Sequence, residues 1–282
     1  MIKVGITGGG RGKIVGVDEA TKSLLVTVVP PPLLQSNSFG KIALGGATSG
    51  TLNPIRFTPY FEQTTAAQRS LLSTSALDTA AGTGARQVKI TYFDNLLRGP
   101  FTTIRAMAGL AAAATTVMDV AYVEKFEVIE VGSAGTNQGT ITLAITAAGV
   151  GVIGTIATGV GVDARTYWAH HYVAADKKFQ VGAIDCGATA AAVNAEAFLT
   201  YANPLQSGTY DEQVIGSLAV GQNSPADNRN LTPQFQILGP AKITLKVIPS
   251  GNNGTFVGSF DWSEEPIAPA DRQVGNLGGP NF

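Results

Sequence analysis

Cysteine is almost absent from this chain: 282 residues hold one, Cys186, which excludes an intramolecular disulfide and any metal site built from several thiolates. Its setting, Val181-Gly182-Ala183-Ile184-Asp185-Cys186-Gly187-Ala188, reads as the end of a strand. There the thiol is either a buried structural one or a reactive one, and apolar neighbours favour the first.

Charge is scarce too. Charged residues make up 14% of the chain, against about 25% in an average soluble protein. Either neighbouring subunits cover much of the surface, or a Gly/Ala/Thr-rich surface lowers the count with no partner. The net charge is −1, and the lysines and arginines are scattered, with Lys177-Lys178 among the densest groups. Proteins that grip nucleic acid concentrate basic residues to neutralise phosphates, so nucleic acid is not an expected partner.

Long apolar runs are also missing. The longest mild stretch, Ile141–Val162, is interrupted by glycines and threonines and cannot form a membrane-spanning helix. After Met1–Val4 comes Gly5-Ile6-Thr7-Gly8-Gly9-Gly10 rather than the apolar core of a signal peptide. The expectation is a protein made and used in solution, with no membrane partner.

Histidine is limited to His170 and His171. Adjacent residues on a strand point to opposite faces, so the two cannot chelate one metal within a chain. With no Gly-x-Ser-x-Gly elbow, nothing marks a nucleophile. Asp261, Glu264 and Glu265 lie close together beside Trp262, the raw material of a glycan-cleaving acidic pair, but acidic residues near a chain end are more often solvated. Gly149-Val150-Gly151-Val152-Ile153-Gly154 has dinucleotide-loop spacing, yet the β-branched, glycine-rich Thr155–Asp163 cannot supply the helix that loop requires. Gly8-Gly9-Gly10-Arg11-Gly12-Lys13 fails as a phosphate loop, with Thr7 in place of the first glycine and Ile14 in place of the magnesium-binding hydroxyl. The chain is therefore expected to be no enzyme and to carry no catalytic residue, metal ligand or cofactor.

What is present is strand signal. In Thr140–Thr146, Ile141, Leu143 and Ile145 alternate with threonines, the two-residue period of a half-buried strand. Val88, Ile90 and Tyr92 do the same in Arg86–Asp94, and the pattern recurs in Val193–Tyr201, Phe179–Ala183, Ile243–Val247 and Phe256–Trp262. Gly, Asn and Asp separate these runs, as turns require. Gln63–Leu77 has the weak makings of one or two helical turns, and Ala108–Ala114 reads as loop or strand edge. The fold class is all-β, a jelly-roll-like β-sandwich over residues 58–265.

The flanks differ. Residues 1–57 hold a glycine-rich start, a small hairpin over Lys13–Val17 and Ser23–Val29, the stiff spacer Pro30-Pro31-Pro32, and the Gly/Ser/Asn-rich stretch Gln35–Leu52. This is an extended arm or a loosely attached subdomain. Residues 266–282 read as an extended tail, and Leu205–Pro233 as a contact loop. Trp168, His170 and Tyr172 share one strand face and form, with Tyr210 and Trp262, the candidate contact residues.

Ala80-Ala81-Gly82-Thr83-Gly84-Ala85-Arg86-Gln87-Val88-Lys89-Ile90-Thr91-Tyr92-Phe93-Asp94 resembles a segment of virion structural proteins of tailed bacteriophages. Later landmarks keep their order: Phe126–Gly139 with its Gly-Ser and Asn-x-Gly, then Thr140–Leu143, Arg165–Val173 and Lys177–Ala183. Where the family often has Val-Pro-Ala-Gly-Lys, this chain has Val173-Ala174-Ala175-Asp176-Lys177. The resemblance spans roughly residues 58 to 203, and departs at Leu96–Ala114, alanine-rich where relatives show a strand. It implies a virion location and a structural role in head, collar or tail. The reading adopted is a capsid decoration or cement protein, expected to be homotrimeric and to bind itself and capsid proteins. The alternatives are a collar, neck or tail (fibre or baseplate) component bound to neck or tail proteins, and a glycan-binding receptor module using Trp168, Tyr210 and Trp262.

Overall fold

The computed structural model describes residues 12–18, 23–28, 34–44, 53–56, 60, 62–162, 165–166, 168–190, 194–205, 212–221, 227–230, 236–251 and 254–267. Among them the secondary structure is β throughout. The strands are β1 (Gly12–Asp18), β2 (Ser23–Val28), β3 (Leu34–Leu44), β4 (Asn53–Pro54), β5 (Ser70–Ser73), β6 (Ala85–Phe93), β7 (Phe101–Ala106), β8 (Ala113–Ala114), β9 (Tyr122–Val131) and β10 (Ile141–Ala144). They continue as β11 (Val152–Ile156), β12 (His170–Val173), β13 (Lys177–Ala190), β14 (Ala195–Ala202), β15 (Gln213–Val220), β16 (Asp227–Asn230), β17 (Gln236–Leu238), β18 (Ala241–Pro249) and β19 (Gly254–Pro266). No described helix is long and apolar enough to cross a membrane.

The chain divides into two compact units, Met1–Leu34 and Gln35–Phe282. In the first, β1 and β2 pair as an antiparallel hairpin, as the sequence reading expects. The second unit contains four sheets, and its apolar residues fall into two main cores within the span 58–265 read as a single sandwich. In the inserted sandwich, the sheet β11-β10-β5-β8 packs on the sheet β7-β6-β9. Leu71, Ile141, Leu143 and Ile153 from one layer meet Val88, Ile90, Phe126 and Val128 from the other. In the outer sandwich, the sheet β12-β18-β14-β15 faces the sheet β16-β13-β19-β3. There Leu199, Ile243, Leu245 and Val247 interdigitate with Phe179, Val181, Phe256 and Phe260. Each layer supplies alternate residues, the arrangement that the two-residue period dictates.

Several sequence expectations change here. β3, β4 and Ile55, read as part of the arm, belong to the outer sandwich: β3 pairs with β19, β4 with β18, and Ile55 lies in the core. The helical turns expected in Gln63–Leu77 are replaced by β5, because Leu71 is needed in the inserted core and pairing with both β10 and β8 satisfies the backbone. Leu205–Pro233, read as a contact loop, contains β15 and β16. A register shift between Leu199 and Thr200 breaks β15's alternation, which hides it from a period count, yet Ile215 and Val220 reach the outer core. The alanine-rich departure at Leu96–Ala114 holds β7 and β8. Residues 268–282 of the expected tail, the Pro30–Pro32 spacer and Tyr210 lie outside the described residues.

Two loops of the inserted sandwich are tied by one buried carboxylate. Asp78 accepts hydrogen bonds from the Ser73 hydroxyl (2.5 Å), the Ala85 amide (2.7 Å), and the Gln138 and Gly139 amides (2.9 Å each). Of the dinucleotide-like glycines, Gly154 lies in β11, while Gly149 and Gly151 stand in the hairpin turn between β10 and β11 with φ of +75° and +69°, values that favour residues without a Cβ.

Candidate functional site

The side chains that sequence reasoning singled out meet where the two sandwiches join, around β12. All four residues of this short strand are buried. Its even-numbered face continues the line begun by Trp168: the Trp168 and His170 rings stack at 5.5 Å, and His170 meets Tyr172 edge-on at 5.3 Å. Tyr60 closes this ladder, 4.7 Å from Trp168 and 4.8 Å from His170, with its hydroxyl 2.6 Å from that of Tyr172. Trp168 also packs edge-on against Phe126 of β9. The face therefore packs against the inserted sandwich, Trp168 in its main core and Tyr172 in a smaller cluster with Phe93 and Tyr122.

Burial, with Lys242 nearby, holds the His170 pKa well below the usual histidine value. The ring is neutral, and its Nε2–H donates to the Val123 carbonyl at 3.3 Å. Burial likewise pushes the Tyr60 and Tyr172 phenols well above their ordinary value, so both stay protonated and one hydroxyl donates to the other.

The opposite face of β12 carries His171 into the outer sandwich. Its Nδ1 lies 2.9 Å from Glu124 Oε1 on β9, and its Nε2 lies 2.9 Å from Glu264 Oε1 on β19. The ring stacks on Trp262 at 3.9 Å and on Phe179 at 5.4 Å. Glu124 also accepts from the Tyr172 amide at 3.0 Å. Burial alone lowers the imidazole pKa, but the Glu124 charge and hydrogen bonds to both carboxylates outweigh it and set the value at about 9. His171 is thus an imidazolium clamped between one carboxylate from each sandwich. Both nitrogens are donors, so the ring has no lone pair to abstract a proton or bind a metal.

Trp168, His170 and Tyr172 are therefore brought together as expected, while Trp262 lies across β12 from them and donates its Nε1–H to Ser38 Oγ at 3.0 Å. Trp168 and Trp262 are 4% and 9% exposed, so neither offers an open ring to a sugar, which corrects the platform drawn from them. Glu264 and Glu265 alternate across β19: the first holds His171, and the second pairs with Lys178 at the surface. They do not flank a common space. Among the described residues no group of three His, Cys, Asp or Glu is placed to hold a metal ion. Cys186 is buried.

Sequence reasoning missed Tyr60, Glu124 and the basic residues of β18. The last had a signal, since Lys242, Thr244 and Lys246 alternate with the core residues Ile243, Leu245 and Val247. This polar stripe forms one wall of a cavity of about 340 Å³ on the outward face of the sheet. Arg56, Tyr60 and Glu62 form another wall, and Glu212 also lines the cavity. Lys242 pairs with Glu62, and Lys246 pairs with Glu212. The Thr200 hydroxyl lies 2.7 Å from Glu212 Oε1.

No family model matches this chain, and no curated protein matches it. Among solved structures, a chain of infectious bursal disease virus (Gx strain) aligns at 10% identity, covering 86% of this chain and 78% of that one, with a TM-score of 0.21. A chain of the cowpea mosaic virus top component, a naturally occurring empty particle, aligns at 8% identity over 73% of this chain and 83% of that one, with a TM-score of 0.19. Similarity this low carries no argument about role.

Proposed function

We propose that this chain is a non-catalytic structural subunit of a tailed-phage virion, a head decoration protein that associates with itself, as a trimer, and with capsid subunits. The observation that carries the reading is the use made of the two histidines. They are the side chains best suited to chemistry near neutral pH, and both are committed to fastening one sandwich to the other. Such an arrangement serves rigidity. The resemblance of residues 58–203 to tailed-phage virion proteins supplies the context, and its leading segment is the central strand of the sheet β7-β6-β9.

Self-association has its own support. Leu96, Phe101, Ile104, Leu110 and Met118 are all exposed in the stretch that carries β7, the end strand of its sheet. Open edges flanked by apolar side chains are surfaces that subunit contacts cover.

Electron microscopy of virions labelled with antibody against the chain tests the location. Label spread over heads supports decoration, and label confined to the neck or tail replaces it with the collar or fibre reading. Capsids lacking the protein should resist heat better once it is added back. No gain, with the protein absent from purified virions, would sink the structural assignment.

A further inference from the structure

We infer that the cavity lined by β18, Arg56, Tyr60 and Glu62 is a binding site for a small hydroxylated acid presenting one carboxylate, of the size of a uronic acid, with Arg56 as its anchor. This goes beyond the virion role and does not depend on which part of the particle carries the chain.

The charge balance comes first. Three cations, Arg56, Lys242 and Lys246, line the space against two carboxylates, Glu62 and Glu212. Each carboxylate already pairs with one lysine. His170, the remaining titratable nitrogen base of the lining, is neutral. Among the described residues one positive charge is therefore left over. It belongs to Arg56, whose guanidinium donates from one nitrogen to the Tyr60 carbonyl at 2.7 Å and forms no ion pair with a carboxylate among the described residues. Burial depresses its pKa even with the Glu62 charge nearby, because lost hydration outweighs an anion that Lys242 already holds. A half-buried charge in that position costs free energy until an anion joins it.

The form of the anion follows from the walls. A planar guanidinium fork matches a carboxylate through two parallel hydrogen bonds. A phosphate dianion would bring more charge than the single excess cation balances, and Glu62 and Glu212 would repel the surplus. Those same carboxylates, with the Thr244 hydroxyl, accept from donors such as sugar hydroxyls. Pro54, Ala202 and Pro204 offer an apolar strip to a C–H face. The volume lies at the small end of ligand pockets, which span about 300–1,000 Å³, and suits one ring.

Isothermal titration calorimetry on the full chain near neutral pH decides the matter with glucuronate, glucose and inorganic phosphate as probes. The expected result is heat of binding with glucuronate and none with the other two. Arg56→Gln should weaken glucuronate at least ten-fold, and Ala202→Phe, which fills the strip without touching a charge, should abolish binding. Lys125→Gln, away from the cavity, should leave it unchanged. Circular dichroism melts of each variant without ligand establish that it is folded. An oligosaccharide carrying glucuronate then separates the sources: tighter binding than the monosaccharide marks a glycan residue as the ligand, and equal or weaker binding marks the free acid. Equal heats from glucose and glucuronate, phosphate binding as tight as glucuronate, or wild-type affinity in both folded cavity variants overturns the assignment.

Discussion

Replacing His171 by glutamine should remove a specific, pH-dependent part of the stability. In the folded chain the imidazole sits 2.9 Å from both Glu124 and Glu264 and has a pKa of about 9, against about 6.5 for an unperturbed histidine. The folded state thus binds this proton more tightly than the unfolded state. The resulting stabilisation is fully present below about pH 6.5, fades as pH rises, and is lost once pH passes the folded-state value of about 9. At about 1.4 kcal/mol per pH unit, the gap between the two values corresponds to roughly 3 kcal/mol. Near neutrality the glutamine variant leaves two buried carboxylates without their cation and loses the stack on Trp262, which should cost about 3–5 kcal/mol. Urea unfolding, followed by tryptophan fluorescence between about pH 6 and about pH 10, measures both effects. The wild type should lose stability across that range and the variant should not. Parallel pH profiles for the two proteins would refute an ionised clamp, whatever the variant's stability at neutral pH.

Other outcomes follow from features of the same fold. Asp78→Ala removes an acceptor shared by four donors and should cost about 3–5 kcal/mol, read as a lower denaturation midpoint at unchanged slope. At Gly154 a Cβ would fall 2.2 Å from Trp168 Cζ2. Gly154→Ala should therefore destabilise by about 1–3 kcal/mol through overpacking and shift the near-ultraviolet spectrum of the tryptophans. Cys186, 1% exposed, should resist a thiol reagent in the native protein and react on unfolding; rapid native labelling would contradict its burial.

The sequence was legible where a strand has one wet and one dry face. Val88, Ile90 and Tyr92 alternate in sequence and are all buried, and the shared face of Trp168, His170 and Tyr172 followed from parity alone. Alternation does not say which core a strand serves. Ile141 and Ile243 look alike in sequence, yet one fills the inserted sandwich and the other the outer one. The junction was hidden for a related reason, since its partners are remote. Glu124 and Glu264 lie 47 and 93 positions from His171, and Tyr60 lies 112 from Tyr172. A glutamate beside apolar residues gives no sign of the cation it will meet. Exposure was misjudged too: aromatic residues alone do not tell a buried ladder from an open platform, because both use the same side chains.

The inserted sandwich also bears on the order of assembly. The outer sandwich joins early and late strands of the second unit, with Ser38 bonded to Trp262 across 224 positions. During synthesis β3 and β4 emerge long before β18 and β19 exist to receive them. The strands of the inserted sandwich, from β5 to β11, emerge together and need nothing from outside to bury most of their core. Closing a loop costs entropy that grows with its length, and a folded insert that already carries Tyr60 and Trp168 side by side shortens the gap the late strands must bridge. The middle of the second unit thus serves as an internal template on which β3 and β4 meet β18 and β19.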